Sequence, residues 1–467
     1  MTTTEMTTTA PLRPPLFQGG LPFIGALPWM RRDALGLLLA AKEQGDVVQI
    51  NFGVRKITLL ASPTAVERAL VTNVKNYVKQ TRGYAVMRKL LGNGLVTSEG
   101  NFWLRQRRIA APAFHREKIA GFAVTMQRCT DDMLARWGQT HLQGGAFDVD
   151  KEMMSLTMRI AGLTLLSTDV DENTSDVGAA LTELVERQVF QRVTLPFELP
   201  MSVPTPMNRR FTKARHTLDD IILGIIRTRR AGASRPDLLS MLMDATDEET
   251  GESMSDRQLR DEVMTLFLAG HETTASSLGF TLWLLSEHPE IEAQVRQEIQ
   301  QVCGEQGDVD VGSVMRMPYL DAVFSEAMRV LPPVPLLARR CNDGDVVDGF
   351  AIPPQSLVFL SPYVTHRLAR WWKNPARFDP TRFLEGGEAH QEGRPKYAYF
   401  PFAGGPRKCI GDVFARLEQK VCMARMLQRV RFTSLPEPKV EPMLAVSIRA
   451  RHGIPMTVAR SQTASPA

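Results

Sequence analysis

Phe402-Ala403-Gly404-Gly405-Pro406-Arg407-Lys408-Cys409-Ile410-Gly411 places a cysteine in a glycine-rich turn, just ahead of a long apolar-periodic segment. A sulfur so placed faces the N–H groups that open a helix. Those donors and the helix dipole stabilise a thiolate, the form that ligates metal. Gly405 and Gly411 permit backbone angles and close approach that other residues forbid. Arg407, two residues before the sulfur, supplies a cation for a carboxylate on whatever the sulfur holds. A lone cysteine is ordinarily a small buried hydrophobe. Five specified residues at this spacing match by chance in such a chain roughly once in ten thousand cases, so the pattern carries information.

The pattern Phe-x-x-Gly-x-Arg-x-Cys-x-Gly resembles the haem-ligand loop of the cytochrome P450 monooxygenases. The resemblance implies that Cys409 is the axial ligand of haem iron, with Phe402 and Arg407 beside the cofactor. Further motifs follow the family's order. Trp103 and Arg107 stand one turn apart on one helix face. Taken alone that is an ordinary packing pair; in the family the matching residues donate to a haem propionate. Ala269-Gly270-His271-Glu272-Thr273-Thr274 matches (Ala/Gly)-Gly-x-(Asp/Glu)-Thr. Ala269 and Gly270 offer almost no bulk, which lets a planar cofactor approach. The resemblance gives Thr273 the hydroxyl that bonds dioxygen and Glu272 the acid of a proton relay, with Thr274 as the competitor for the hydroxyl role. Glycine and two threonines weaken a helix interior, so a local bulge is expected there.

Glu326-Ala-Met-Arg329 and Pro380-Thr381-Arg382-Phe383 resemble the family's buried Glu–Arg–Arg structural set, with Thr381 where Glu is commoner. As a helix pair alone, Glu326 and Arg329 would be a weak surface ion pair. After the extended Leu331 to Leu337 run, the resemblance sends Arg339 to the second propionate, with Arg340 as the neighbouring alternative. Ala415 and Glu418 also sit where the family has them.

With 467 residues, 43% of them hydrophobic, the chain can bury a large core. Length alone suggests two or three domains, but large catalytic folds also run as one. A net charge of +5 without basic-aromatic blocks gives no indication of nucleic-acid binding. It fits an acidic protein partner on one face. Cys129, Cys303, Cys341, Cys409 and Cys422 form no zinc spacing, and their odd count points to a reducing compartment. No signal peptide or apolar run of spanning length is visible, so a cytoplasmic enzyme without a membrane anchor is expected.

In chain order, residues 1–28 read as a tail and extended lead-in. Ala34 to Gln44 reads as a helix, Val47 to Phe52 and Ile57 to Ala61 as strands, and Pro63 to Val71 as a helix. Asn76 to Gly100 reads as irregular, and by resemblance covers the substrate. His115 to Trp137, Asp148 to Leu166, Ala179 to Val193 and Arg209 to Arg230 read as helices. The proline-rich joint Thr194 to Met207 resembles the family's lid. Ser255 to Ser286 reads as one long helix opened by a capping box. Short strands follow at Val346 to Ile352 and Leu357 to Leu360. His366 is expected to begin a brief helix, Asp412 to Val430 a long one, and Val446 to Val458 two strands.

The resemblance implies a mainly α fold with small β-sheets (α+β), the cytochrome P450 fold, as one catalytic domain over residues 29–460 with a tail at 461–467. It implies haem b and insertion of one oxygen atom from O₂ into a C–H or C=C bond of a lipophilic small molecule. A terpenoid, polyketide or fatty acid, as in secondary metabolism, is suggested by Phe267, Leu268, Val334, Leu336 and Leu337. Electrons would come from NAD(P)H through a separate ferredoxin or flavodoxin system. A peroxide-using or reductase-independent haem-thiolate enzyme and a haem sensor without turnover are the alternatives; Glu272 and Thr273 speak against peroxide use.

Overall fold

The computed structural model describes residues 10–53, 55–169, 200–232 and 235–461. The chain folds into two compact units and passes between them at 81/82, 335/336, 371/372, 394/395 and 408/409.

The first unit (Met1–Thr81, Leu336–Trp371, Pro395–Lys408) is built on a five-stranded sheet. Its strand order is Val47–Phe52, Arg55–Leu60, Ser356–Leu360, Leu337–Cys341 and Tyr77–Val78, and only the Arg55–Leu60 to Ser356–Leu360 pairing is parallel. Alternation along these strands feeds two apolar cores. Val48, Ile50, Leu59 and Phe359 pack with Leu37 and Leu38 of the helix Ala34–Lys42. Val47, Leu60, Val358 and Leu360 pack on the other face with Val66, Tyr397 and Phe400. Burial on both faces is why the strands read as nearly continuous apolar runs. The brief helix is Pro362–Thr365, with Ser361 as its N-cap. His366 therefore ends it instead of beginning it, because proline suits the first helical position.

The second unit (Arg82–Pro335, Trp372–Arg394, Cys409–Ala467) is mainly helical. Its axis is the 31-residue helix Asp256–Ser286, which opens on the expected capping box of Ser255 and Gln258. It is buried on nearly all sides, packing against Val149–Leu166, Pro206–Ala231, Pro318–Val330 and Asp412–Arg429. The helix stays α-helical throughout, so the expected bulge is absent. Thr273 Oγ1 donates to the Ala269 carbonyl (2.7 Å), sharing that oxygen's second lone pair without displacing the helical ladder. A three-stranded sheet orders Phe147–Asp148, Pro455–Arg460 and Val430–Ser434, and Pro442–Leu444 pairs with Ile448–Ala450 as a hairpin.

Four more expectations need correction or limits. Asn76 to Gly100 contains a helix, Arg82–Leu91, which buries Val86, Leu90 and Leu91 and stops at Gly92 with φ of 70°. Tertiary burial of one face overrides its glycine-rich local pattern. His115 to Trp137 is split at Gly121 into Arg116–Ala120 and Ala123–Thr140, glycine being a poor helix former. Leu238–Asp244 and Pro289–Cys303 are helices not expected from the sequence. The expected helix Ala179 to Val193 and the first part of the proline-rich joint lie outside the described residues. Among the described residues no helix is long and apolar enough to cross a membrane.

Candidate active site

The long helix opens along one stripe. Ala269 is exposed and Leu266, Gly270 and Thr273 partly so, while their neighbours are buried. Steps of three and four residues put these positions on one face. A Cβ built on Gly270 would meet no described atom within 4 Å, so a flat group has room there. Phe267 and Leu268, expected to face substrate, belong instead to the buried core of the unit.

The remaining side chains of the motif point inward. His271 is buried and its Nδ1 lies 2.9 Å from the Phe267 carbonyl, while the Thr157 hydroxyl donates to the His271 carbonyl (3.0 Å). Burial lowers the imidazole to about 4, which keeps it neutral. Glu272 is buried, and Oε1 accepts from Ser447 Oγ at 2.7 Å. Thr274 is buried too, and its side chain hydrogen-bonds the Glu418 carboxyl, which burial holds well above the usual carboxylate range. Of the two threonines, Thr273 is therefore the one on the open face.

Cys409 is exposed and lies two residues before Gly411, the N-cap of Asp412–Arg429. Gly405 is demanded by the backbone. Its φ is 62°, and a Cβ there would sit 2.0 Å from the Leu70 carbonyl oxygen. The backbone makes no such demand at Gly411, whose φ is −93° and where a Cβ would have Phe114 as its nearest described neighbour at 3.9 Å. In the same unit as Cys409, the helix Gly100–Ala110 carries Arg107, whose pKa burial lowers while the charges of Cys409 and Asp412 oppose the shift. The guanidinium is thus in Coulombic reach of the sulfur. Trp103, one turn earlier, packs with Phe114 and Ile410 against the unit's core.

Phe402, Arg407 and Arg339 belong to the first unit. Phe402 is half-buried, and Arg407 ends the turn Gly405–Arg407. Strand alternation puts Arg339 and Arg340 on opposite faces. Arg339 is buried, with Nη1 donating to the Ala338 carbonyl (2.8 Å), whereas Arg340 reaches Asn342 Oδ1 (3.2 Å) and Gln80.

Glu326, Arg329 and Arg382 converge in the second unit. Arg329 donates to both Glu326 oxygens (2.6 and 2.8 Å), and both residues are 0% exposed. Arg382 Nε lies 3.3 Å from Glu326 Oε1, and the Asp379 N–H donates to the same oxygen at 2.9 Å. Glu388, which pairs with Arg382, and Trp372, whose ring is covered by Arg394 at 3.5 Å, complete the cluster. Neither was expected from the sequence, nor was the contact of Ser447 with Glu272. Each meets its partner only through the fold.

Among the described residues no group of three or more His, Cys, Asp or Glu could hold a metal ion. A single exposed thiol with a guanidinium in reach fits instead a metal that brings its other ligands with it. The cytochrome P450 family model matches residues 14–453. Cyclooctatin synthase of Streptomyces melanosporofaciens is 36% identical over 454 residues, 96% of each chain. Cyclooctat-9-en-7-ol 5-monooxygenase of the same organism is 33% identical over 419 residues, covering 90% of this chain and 89% of that one. The crystal structure of the cytochrome P450DA heme domain superposes with a TM-score of 0.87 at 25% identity, covering 97% and 99% of the two chains. A match of that length, on a chain whose Cys409 loop already has the family's haem-ligand pattern, shows that this protein belongs to the cytochrome P450 family of haem-iron monooxygenases.

Proposed function

We infer that the enzyme inserts one atom of O₂ into a C–H or C=C bond of a lipophilic ring terpenoid, the other atom leaving as water with two electrons and two protons consumed. Residues 29–460 form the catalytic domain, between the lead-in 1–28 and the tail 461–467. Thiolate-ligated haem b, when bound, supplies an iron centre whose electron density favours O–O cleavage. Cys409 would hold the haem through its sulfur, Trp103, Arg107, Arg339 and Arg407 would be the donors to its carboxylates, and Phe402 would pack beside the loop. Ala269 and Gly270 leave room for the ring. Thr273 presents a hydroxyl on the open face, and Glu272 stores the proton that this side of the site consumes. Glu326, Arg329 and Arg382 brace the stretch leading to the cysteine loop.

The observation that carries this reading is the split of the Glu272–Thr273 pair, with the hydroxyl on the open face and the acid behind it. A peroxide user has little need of stored protons. For the substrate, one relative's name denotes an alkene alcohol oxidised at carbon 5, and the bacterial relatives named for cyclooctatin and pentalenene oxidise terpenoids. That favours a terpenoid over a polyketide or fatty acid. Electrons come from NAD(P)H through a ferredoxin or flavodoxin docking near Arg407 and Lys408, the latter exposed.

The test is holoenzyme with a surrogate ferredoxin and reductase, NADPH and ¹⁸O₂, offered cyclic terpene alcohols and a fatty acid of equal carbon number. Terpene product carrying one ¹⁸O, with substrate-dependent NADPH oxidation, is expected. Turnover with peroxide alone, or no product under either condition, refutes the reading.

A further inference from the structure

We propose that Glu262, with Asp261 beside it, is a positioning residue that latches residues 92–98 onto the long helix, and that opening of this latch sets how fast a lipophilic molecule reaches the open helix face. The inference rests on the reading above of that face, Leu266 to Thr273, as the one turned toward haem and substrate.

Three consecutive residues near the start of the long helix each hold a backbone group at or after the end of Arg82–Leu91. Arg260 Nη2 donates to the Leu90 carbonyl (3.1 Å), Asp261 Oδ2 accepts from the Asn93 N–H (2.7 Å), and Glu262 Oε2 accepts from the Leu95 N–H (3.0 Å). Two acids orient the arginine: its Nη1 donates to Asp261 Oδ1 (2.9 Å) and its Nε to Asp219 Oδ1 (2.7 Å) on Pro206–Ala231. Glycine permits so close an approach. A Cβ on Gly94 would lie 2.6 Å from the Asp261 carbonyl oxygen and closer still to the Thr265 hydroxyl. The stretch is also tied to itself. Thr97 Oγ1 donates to the Gly92 carbonyl (2.7 Å), the Thr97 and Ser98 N–H groups donate to the Gly94 carbonyl (3.0 and 2.9 Å), and Arg88 donates to the Thr97 carbonyl. Residues 92–98 can therefore lift as one piece. Glu262 precedes Leu266 by one turn, so it continues the open stripe toward the start of the helix. Glu262 and Thr265 are each 1% exposed under this piece, whereas Ala269 farther along is exposed. The latched piece thus closes one end of the open face, and Leu95 plugs the core there together with Leu259 and Val263. Burial raises the Glu262 carboxyl to about 8, so at pH 6.5 it is uncharged and its bond to Leu95 has ordinary neutral strength. A piece held by bonds of that strength opens locally while the rest of the fold stays intact.

The experiment uses holoenzyme at pH 6.5 without turnover, so its outcome does not depend on which substrate is oxidised. It reads hydrogen–deuterium exchange of peptides spanning 90–98, and the association rate of 4-phenylimidazole, a lipophilic haem ligand, by stopped-flow absorbance. Glu262→Leu keeps the bulk and leaves the Leu95 N–H without its acceptor. Exchange and association should each rise at least about fivefold, the effect of one unsatisfied buried donor. Asp261→Ala should act in the same direction. Glu262→Gln, an isostere of the uncharged acid, should leave both readings at wild-type values. Gly94→Ala should raise both by wedging the piece off the helix from its own side, and it takes the place of Glu262→Leu if that variant does not fold. Ser276→Ala cuts a hydrogen bond to the Ile448 carbonyl about four turns farther along the same helix and should change neither.

Wild-type exchange in Glu262→Leu and Gly94→Ala, an equal rise in Ser276→Ala, or a Glu262→Gln as loose as Glu262→Leu overturns the proposal. Faster exchange with an unchanged association rate overturns the entry role and leaves the reading of the open face standing. Failure of the wild-type holoenzyme to bind 4-phenylimidazole at all would instead overturn that reading.

Discussion

Replacing Glu326 by glutamine keeps the volume of the side chain and removes its charge from a place where water cannot compensate. Arg329, 0% exposed, would then keep the carbonyls of Pro375 (2.8 Å) and Arg377 (3.0 Å) and the Trp372 ring (5.2 Å) beside a neutral amide. Arg382 would lose the carboxylate 3.3 Å from its Nε, and the Asp379 N–H would keep an acceptor of lower charge. Removing one partner of a buried ion pair costs about 3–5 kcal/mol, because the other charge stays buried without its counter-ion. Unfolding entropy near 2.1 cal/mol/K per residue amounts to about 1 kcal/mol/K for a chain of this length, so Tm should fall by about 3–5 °C. The control is Glu441→Gln. Its carboxylate lies 3.2 Å from Arg451 Nε with both side chains more than a third exposed, so the change should be about 1 °C or less. Differential scanning calorimetry of the two variants side by side decides the matter. A Glu326→Gln shift no larger than that of Glu441→Gln would refute the view that this cluster acts as a buried, mutually dependent set.

Thr273→Ala should divert reducing equivalents to peroxide and lower product per NADPH. Thr274→Ala should leave that ratio unchanged and cost about 1–3 kcal/mol of stability in urea titrations, since Glu418 loses its partner. Gly405→Ala should destabilise the cysteine loop by at least about 1–3 kcal/mol, whereas Gly411→Ala should fold with a near wild-type Tm, as measured by thermal melts. Glu262 is buried, with Oε2 accepting from the Leu95 N–H (3.0 Å), and burial raises its carboxyl to about 8. The folded state therefore binds a proton that the unfolded state has released above the ordinary value of 4.5, so this group's contribution is complete below that pH and is lost as pH rises toward about 8. Glu262→Gln should flatten the stability profile over that window and raise stability at pH 8.5, by at most about 3–5 kcal/mol. Urea midpoints measured at pH 5 and 8.5 that shift in parallel for both proteins would rule this out.

Several features were legible because they are decided within a few residues of chain. The cysteine turn ahead of its helix, the capping box at Ser255, the apolar run Val47–Phe52 and the spacing of Trp103 and Arg107 are local, and the structure places each where the pattern indicated. The failures are also local in origin. Arg82–Leu91 was hidden by glycines that its buried face overrides, and the expected bulge at Thr273 gave way to a hydroxyl bonding back one turn.

The order of motifs along the chain thus determined the family, the candidate ligand at Cys409 and the candidate proton relay at Glu272 and Thr273. Only the tertiary structure decided which threonine faces open space, that the backbone itself demands glycine at 405 but not at 411, and that Ser447 meets Glu272 across 175 positions of sequence. The physical reason is range. Backbone preferences and periodicity act over one or two turns, while a hydrogen bond between distant residues exists only once burial has brought their elements together.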